Sequence, residues 1–241
     1  ARTYGLQPRQ FQMFGPKVYL GLVAVSGSNE EVIPVLDHEQ QERLEYQISR
    51  MIHRVTHPDK PTIGVMSDIP VLGSDLPPHM AMQMQQTLPE KWLAFKDIET
   101  DYKIRRIDTK DKEIPTDLEA LVIVHPKNLG EQTLFAIDQY LLGGGRLIVF
   151  VDPLNATDMR SSPSSTMMPG GQKYSSNMEK LFSAWGIEFM SDKVIADPGT
   201  FTRIQTGGSL EDSLVWLSLR DRQLADDEIL TSQLGIVVLP L

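Results

Sequence analysis

Residues 121–153 read LVIVHPKNLGEQTLFAIDQYLLGGGRLIVFVDP, and no other stretch of the chain restricts its fold so strongly. An apolar run over Leu118–Val124 is followed by a polar turn, then by Gln132–Leu142 with apolar residues at helical spacing. A glycine triplet comes next, and then a second apolar run, Arg146–Val151. Continuous rather than alternating apolar runs, joined through a helix, are the pattern of a βαβ unit in a buried parallel sheet. The spacing predicts Leu134, Ile137, Leu141 and Leu142 on the sheet-facing side of the helix, with Phe135 and Tyr140 at its flanks. Gly143-Gly144-Gly145 follows a helix and precedes a strand. A phosphate loop has the opposite order, so the triplet is predicted to cap the helix C-terminus.

The rest of the chain extends this pattern. Val18–Val25 and Val32–Leu36, separated by Gly27-Ser28-Asn29, predict a hairpin. Asp37 is a suitable N-cap, and Leu44, Ile48, Met51, Ile52 and Val55 predict a helix over Glu39–Val55. Thr62–Met66 is a short buried strand leading into Ser67-Asp68-Ile69-Pro70, and residues 69–79 are rich in breakers. A helix is expected after Thr87, with Pro89 in its first turn and a stripe of Trp92, Phe95, Ile98, Glu99 and Tyr102. Lys103–Ile107 is the next strand, which makes a second parallel crossover. The Ser-, Thr-, Gly- and Pro-rich stretch Ala156–Ser176 reads as a long mobile or functional loop. A helix capped by Ser176 or Asn177 is expected through Trp185, and Gly186 ends it. Short strands are expected at Ile187–Met190, Lys193–Ala196, Val215–Leu219 and Ile236–Leu239.

The fold class is therefore α/β: a mainly parallel sheet flanked by helices, with additional edge strands and a small C-terminal subregion. We read residues 1–37 as an N-terminal hairpin region and 38–155 as the α/β core. Residues 156–176 form the loop, and 177–241 continue the core into the smaller subregion.

Composition narrows the function. The net charge of −9 disfavours nonspecific nucleic-acid binding and docking on anionic lipid. The absence of cysteine excludes disulfides, thiolate metal sites and a cysteine nucleophile. No apolar run approaches the roughly 18–20 residues of a membrane span, and no secretory leader is read. The chain begins at Ala1 and stops inside the apolar run Leu234–Leu241, and so reads as a piece of a longer protein.

In an open parallel sheet, ligands bind at the carboxyl ends of the strands. Asp68, His125, Lys127, Asp152 and Asn155 follow three predicted strands and are the candidate ligand-binding residues. Polar residues and prolines also end strands simply because they favour turns. Asp68, His125 and Asp152 would serve a hydrolase if they converged within hydrogen-bond reach. A carbohydrate site would need an aromatic platform from Trp92, Tyr174 or Trp216. His53 and His57 stand four apart but lack the Glu of a zincin motif, so a helix-end role is the simpler reading. Asn155-Ala156-Thr157 is formally a glycosylation acceptor. Met80, Met82, Met84, Met167 and Met168 are read as gap-filling or exposed. No cofactor is expected.

Residues 121–153 also resemble the GldG-like auxiliary component family of gliding-motility-type ABC transporters. The resemblance rests on His125-Pro126-Lys127-Asn128-Leu129, Ala136-Ile137-Asp138-Gln139-Tyr140, Gly144-Gly145-Arg146-Leu147 and Val151-Asp152-Pro153. Pro61-Thr62-Ile63-Gly64-Val65 and Trp185-Gly186-Ile187 add to it. It implies an extracytoplasmic (periplasmic-side) domain, tethered by membrane anchors near the chain ends, working beside an ABC permease and its ATPase. A homo-oligomer is compatible with that role. The implied fold is similar to class I glutamine amidotransferases and flavodoxin-like domains. Glutaminase chemistry does not transfer, because this chain has no cysteine. The expected function is a noncatalytic auxiliary domain that binds a protein or ligand. ATP hydrolysis falls to another subunit, because no Walker pattern is present.

Overall fold

The computed structural model describes residues 2–10, 15–36, 44–74, 88–161, 174–206, 208–228, 231–232 and 234–240. Asp37, Thr87 and all five methionines named above lie outside them, as do residues 39–43 and 75–79. The chain divides into two units, Ala1–Pro61 with Asp97–Lys103, and Thr62–Lys96 with Ile104–Leu241.

In the first unit, β1 (Pro8–Gln10) pairs antiparallel with β2 (Lys17–Tyr19), and β3 (Leu22–Ser26) pairs antiparallel with β4 (Asn29–Ile33). The expected run Val18–Val25 is thus split at Leu20-Gly21. A Cβ at Gly21 would lie 2.5 Å from the Ile33 carbonyl oxygen, so the chain passes there only without a side chain. Helix α1 (Leu44–Thr56) packs on β3 and β4. Met51 and Val55 are buried, whereas Ile52 is 51% exposed, contrary to expectation. The inward line runs through Ile48, Met51 and Val55 at spacings of three and four, and Ile52 falls to one side of it.

From Thr62 on, β5 (Thr62–Ser67), α2 (Leu93–Ile98), β6 (Lys103–Ile107), β7 (Ala120–Val124), α3 (Glu131–Leu142) and β8 (Leu147–Phe150) follow in chain order, all in the second unit except Asp97, Ile98 and Lys103. The four strands form an all-parallel sheet in the order β6-β5-β7-β8. Val65 is in register with Val122, and Ile123 with Val149. Met66, Leu121, Ile123 and Ile137 have no exposed surface. Full burial of such side chains is worth about 1.5–3 kcal/mol each.

Helix α2 is shorter than expected. Pro89 lies ahead of it, in a stretch where Lys91 bridges to Leu72, and of the predicted stripe only Phe95 is buried. The buried stripe of α3 is Thr133, Ala136, Ile137 and Tyr140, while Leu142 is 74% exposed. The buried line is offset from the predicted one but shares Ile137 with it, and Leu134 packs against the core; the Tyr140 hydroxyl donates to the Leu118 carbonyl at 3.4 Å. Gly144 takes φ +91 just past the last turn, as a C-cap requires.

The segment expected to be a loop opens with helix α4 (Ala156–Ser161). Helix α5 (Glu179–Ala184) starts after Met178, not after Ser176 or Asn177, and adds Leu181 and Phe182 to the core. Residues 187–196 carry no strand, contrary to expectation. The C-terminal strands β9 (Phe201–Thr206), β10 (Ser209–Arg220) and β11 (Ile236–Pro240) form a separate antiparallel sheet in the order β11-β10-β9. No helix among the described residues is long and apolar enough to cross a membrane.

Candidate functional site

The parallel pairing puts the carboxyl ends of β5, β7 and β8 on one edge of the sheet. Asp68, His125 and Asp152 lie just beyond those ends. The connections leave β5 and β7 toward opposite sides, so the topological switch point of the sheet falls between these two strands.

Asp68 closes that point. One of its oxygens accepts the backbone N–H of Lys127 at 2.6 Å and that of Asn128 at 3.4 Å. Consecutive backbone amides of this kind form a cradle for an anion, and here the chain's own carboxylate fills it.

His125 is 1% exposed and has φ +48, a left-handed backbone unusual for a side-chain-bearing residue. Its neighbours hold it there. Nδ1 lies 2.9 Å from Ser176 Oγ, and Nε2 lies 3.3 Å from Asp158 Oδ2. The same Asp158 oxygen accepts from Lys127 Nζ at 2.5 Å, and that ammonium sits 5.6 Å from the Tyr174 ring centroid. Ser176 Oγ also accepts the Asp152 N–H at 2.9 Å. The serine hydrogen is then free to go to Nδ1, leaving the Nε2 hydrogen for Asp158. Burial works against the charge on Asp158, but the hydrogen bonds from Lys127 and His125 outweigh it. The carboxyl is held below its ordinary range.

Asp152 and Asn155 set the local turn. Asp152 Oδ1 accepts the Leu154 N–H at 2.9 Å, and Oδ2 accepts from Asn155 Nδ2 at 3.3 Å. Asn155 Oδ1 accepts the Asp158 N–H at 2.9 Å, which makes Asn155 the side-chain cap of α4. That helix start presents Asp158 to His125 and Lys127.

Ser176, His125 and Asp158 have the hydrogen-bond order of a Ser-His-Asp relay. Their surroundings differ from a working one. Ser176 is 2% exposed, and its oxygen already accepts an amide. The Ser176 and Asn177 N–H groups, which would be needed to hold an oxyanion, donate to the Asp152 and Pro126 carbonyls at 2.8 and 2.6 Å. The arrangement joins Ser175–Asn177 and the start of α4 to the end of β7.

Of the five candidate residues, Lys127 and Asp68 are bonded directly, as are Asp152 and Asn155. His125 is joined to Lys127 through Asp158. Asp68, His125 and Asp152 share no hydrogen bond with one another; each is engaged elsewhere. Tyr174 belongs to the network, whereas Trp92 precedes α2 and Trp216 lies on β10. Sequence reasoning missed Asp158 and Ser176. The Asn155-x-x-Asp158 spacing carries a helix-cap signal that points to the first; Ser176 has no local signal.

A cavity of about 760 Å³ adjoins the network, lined by Lys127, Asn128, residues 175–179 and residues 188–193. In the first unit, the His53 and His57 rings stack at 4.6 Å between centroids, and His57 Nδ1 lies 3.2 Å from the His53 carbonyl oxygen. Among the described residues, no group of three or more His, Asp or Glu side chains is placed to hold a metal.

No curated protein and no solved structure matches the chain. Residues 60–241 match the model of a family described as an ABC-type uncharacterized transport system, and this stretch includes the whole parallel sheet and the strand-end network. The chain belongs to this family of ABC transport auxiliary components.

Proposed function

We propose that this chain is a noncatalytic, extracytoplasmic auxiliary domain of a GldG-like ABC transport system. It binds a partner protein or a ligand beside the permease, at the carboxyl edge of its parallel sheet. ATP is hydrolysed by a separate subunit, and membrane anchors outside this chain tether the domain. The observation that carries the binding reading is the contrast at that edge. The groups able to do acid–base or nucleophilic chemistry are tied up with one another, while a large polar cavity lies open beside them.

The test is affinity capture of the full-length gene product from gently solubilised membranes, followed by mass spectrometry. We expect an ABC permease and its ATPase to co-purify. Recovery from membranes without them would overturn the transport role, and a wholly soluble full-length product would overturn the anchoring. A second reading, as a hydrolase, is favoured only by the hydrogen-bond order of Ser176, His125 and Asp158. It requires ester hydrolysis by the purified protein that Ser176→Ala abolishes; we expect none above background.

A further inference from the structure

We infer that the cavity of about 760 Å³ beside Lys127 binds a neutral carbohydrate. This deepens the binding role proposed above and rests on that reading. The volume lies within the range of roughly 300–1,000 Å³ typical of small-molecule pockets. The position is the carboxyl edge of the parallel sheet, next to the switch point between β5 and β7, where open α/β sheets take their ligands.

The lining decides the class. Lys127 is already held by Asp158 at 2.5 Å, so its charge is neutralised from within. Glu179, Glu188, Asp192 and Lys193 are exposed, and among the described residues no ion pair or side-chain hydrogen bond engages their charged groups. Three free carboxylates facing one free ammonium disfavour an anion. An apolar ligand would desolvate those carboxylates without repaying them with hydrogen bonds. Carboxylates only accept, whereas Lys193 and the Asn128 amide donate. A ligand that satisfies both must carry groups that donate and accept on the same atom, which hydroxyls do. Phe189 is half-buried and Met190 is 53% exposed, and both line the cavity. Met190 and the outer side of Phe189, whose ring also packs edge-on against Phe182, offer an apolar wall for the C–H face of a sugar ring. This wall takes the place of a Trp92, Tyr174 or Trp216 platform, since none of those three lines the cavity.

The test is calorimetric titration of the 241-residue chain with maltotetraose, cellotetraose and chitotetraose. Spermidine and inorganic phosphate serve as charged comparisons. We expect saturable binding of at least one saccharide, weakened by about tenfold or more in Glu188→Gln and in Asp192→Asn, as loss of a charged hydrogen-bond partner implies. Both side chains are exposed, and unchanged circular dichroism will confirm that the variants fold. Lys193→Met provides an independent third variant from the donor side. The inference is overturned if no saccharide binds, if only spermidine or phosphate binds, or if saccharide binding survives all three substitutions. Loss of saccharide binding with permease capture intact removes this inference alone; the reverse outcome removes the transport role alone.

Discussion

Each unit of this protein contains an aspartate shared by two basic side chains, and the two clusters differ mainly in their contact with water. In the first unit, Asp101 accepts from Arg50 Nε at 2.6 Å and from Arg54 Nε at 2.5 Å, with side chains about a quarter exposed. In the second, Asp158 accepts from Lys127 at 2.5 Å and from His125 at 3.3 Å, and the His125 side chain is 1% exposed. Both carboxyls are held below their ordinary range for the same reasons. Burial opposes the charge, and the hydrogen bonds of the two partners overcome it. The Arg cluster staples α1 to the Asp97–Lys103 segment in a place where water can substitute for any lost partner. The His125 cluster is more closed to water: His125 is 1% and Asp158 12% exposed, while Lys127, at 18%, borders the cavity, so His125 and Asp158 depend most on each other.

The largest effect should come from removing the buried acceptor. Asp158→Ala leaves His125 and Lys127 facing a gap, and we expect a loss of about 3 kcal/mol. Urea unfolding followed by tryptophan fluorescence reads this; a loss under 1 kcal/mol would make the two clusters equivalent and remove the contrast. Acid provides the next test. A carboxyl with a depressed folded pKa contributes stability above its unfolded pKa, and that contribution disappears as pH falls through the folded value. Stability should therefore drop as pH falls below about 4, where an unfolded aspartate begins to bind its proton. The drop should be shallower in Asp158→Ala than in wild type, and Asp101→Asn should shallow it less; identical acid curves for all three proteins would remove Asp158 as a cause.

A smaller effect is expected at the Arg cluster itself. Asp101→Asn should cost about 1 kcal/mol, because the arginines regain water. Segment-resolved hydrogen exchange should show faster opening of α1 and no change near α4. Smallest is the response to salt. Raising sodium chloride from about 0.05 to 0.5 M should weaken protection of α1 by a few tenths of a kcal/mol while leaving the Asp158 segment unaffected. Equal sensitivity in both segments would contradict the difference in burial.

The legible parts of the fold were those with strong local periodicity. The strand Lys103–Ile107 was read with the boundaries it has, and the βαβ unit was displaced by at most two residues at each element. Helix α4 was missed because Ala156–Ser161 has almost no core-forming residues and lies in a stretch of turn formers; the Asn155 side chain starts it instead. The strand β9 was missed because Phe201–Thr206 is mostly polar and takes its hydrogen bonds from β10 in the hairpin. The strands expected at Ile187–Met190 and Lys193–Ala196 have the right residue types but pair with no strand among the described residues.

At the candidate site, polar residues after apolar runs were enough to choose Asp68, His125, Lys127, Asp152 and Asn155 and to place them on one edge. Their partners were not legible. His125 meets Asp158 across 33 residues and Ser176 across 51, and Asp68 meets the Lys127 amide across 59. No local pattern encodes such pairings.

By itself, the sequence determined the order strand–helix–strand, the parallel pairing that this order requires, the glycine stop of α3 and the membership of an ABC transport auxiliary family. These follow from local periodicity, from chain chirality and from residue patterns shared with the family. Only the tertiary structure decided that Thr133, Ala136 and Tyr140 join the expected Ile137 on the buried line of α3 while Leu142 is left exposed. It also decided that the relay-like Ser176–His125–Asp158 order is closed in on itself. Periodicity defines a face but leaves its angular setting to the volume of the neighbours. A buried polar group takes whichever partner the packing brings within reach, however distant that partner is along the chain.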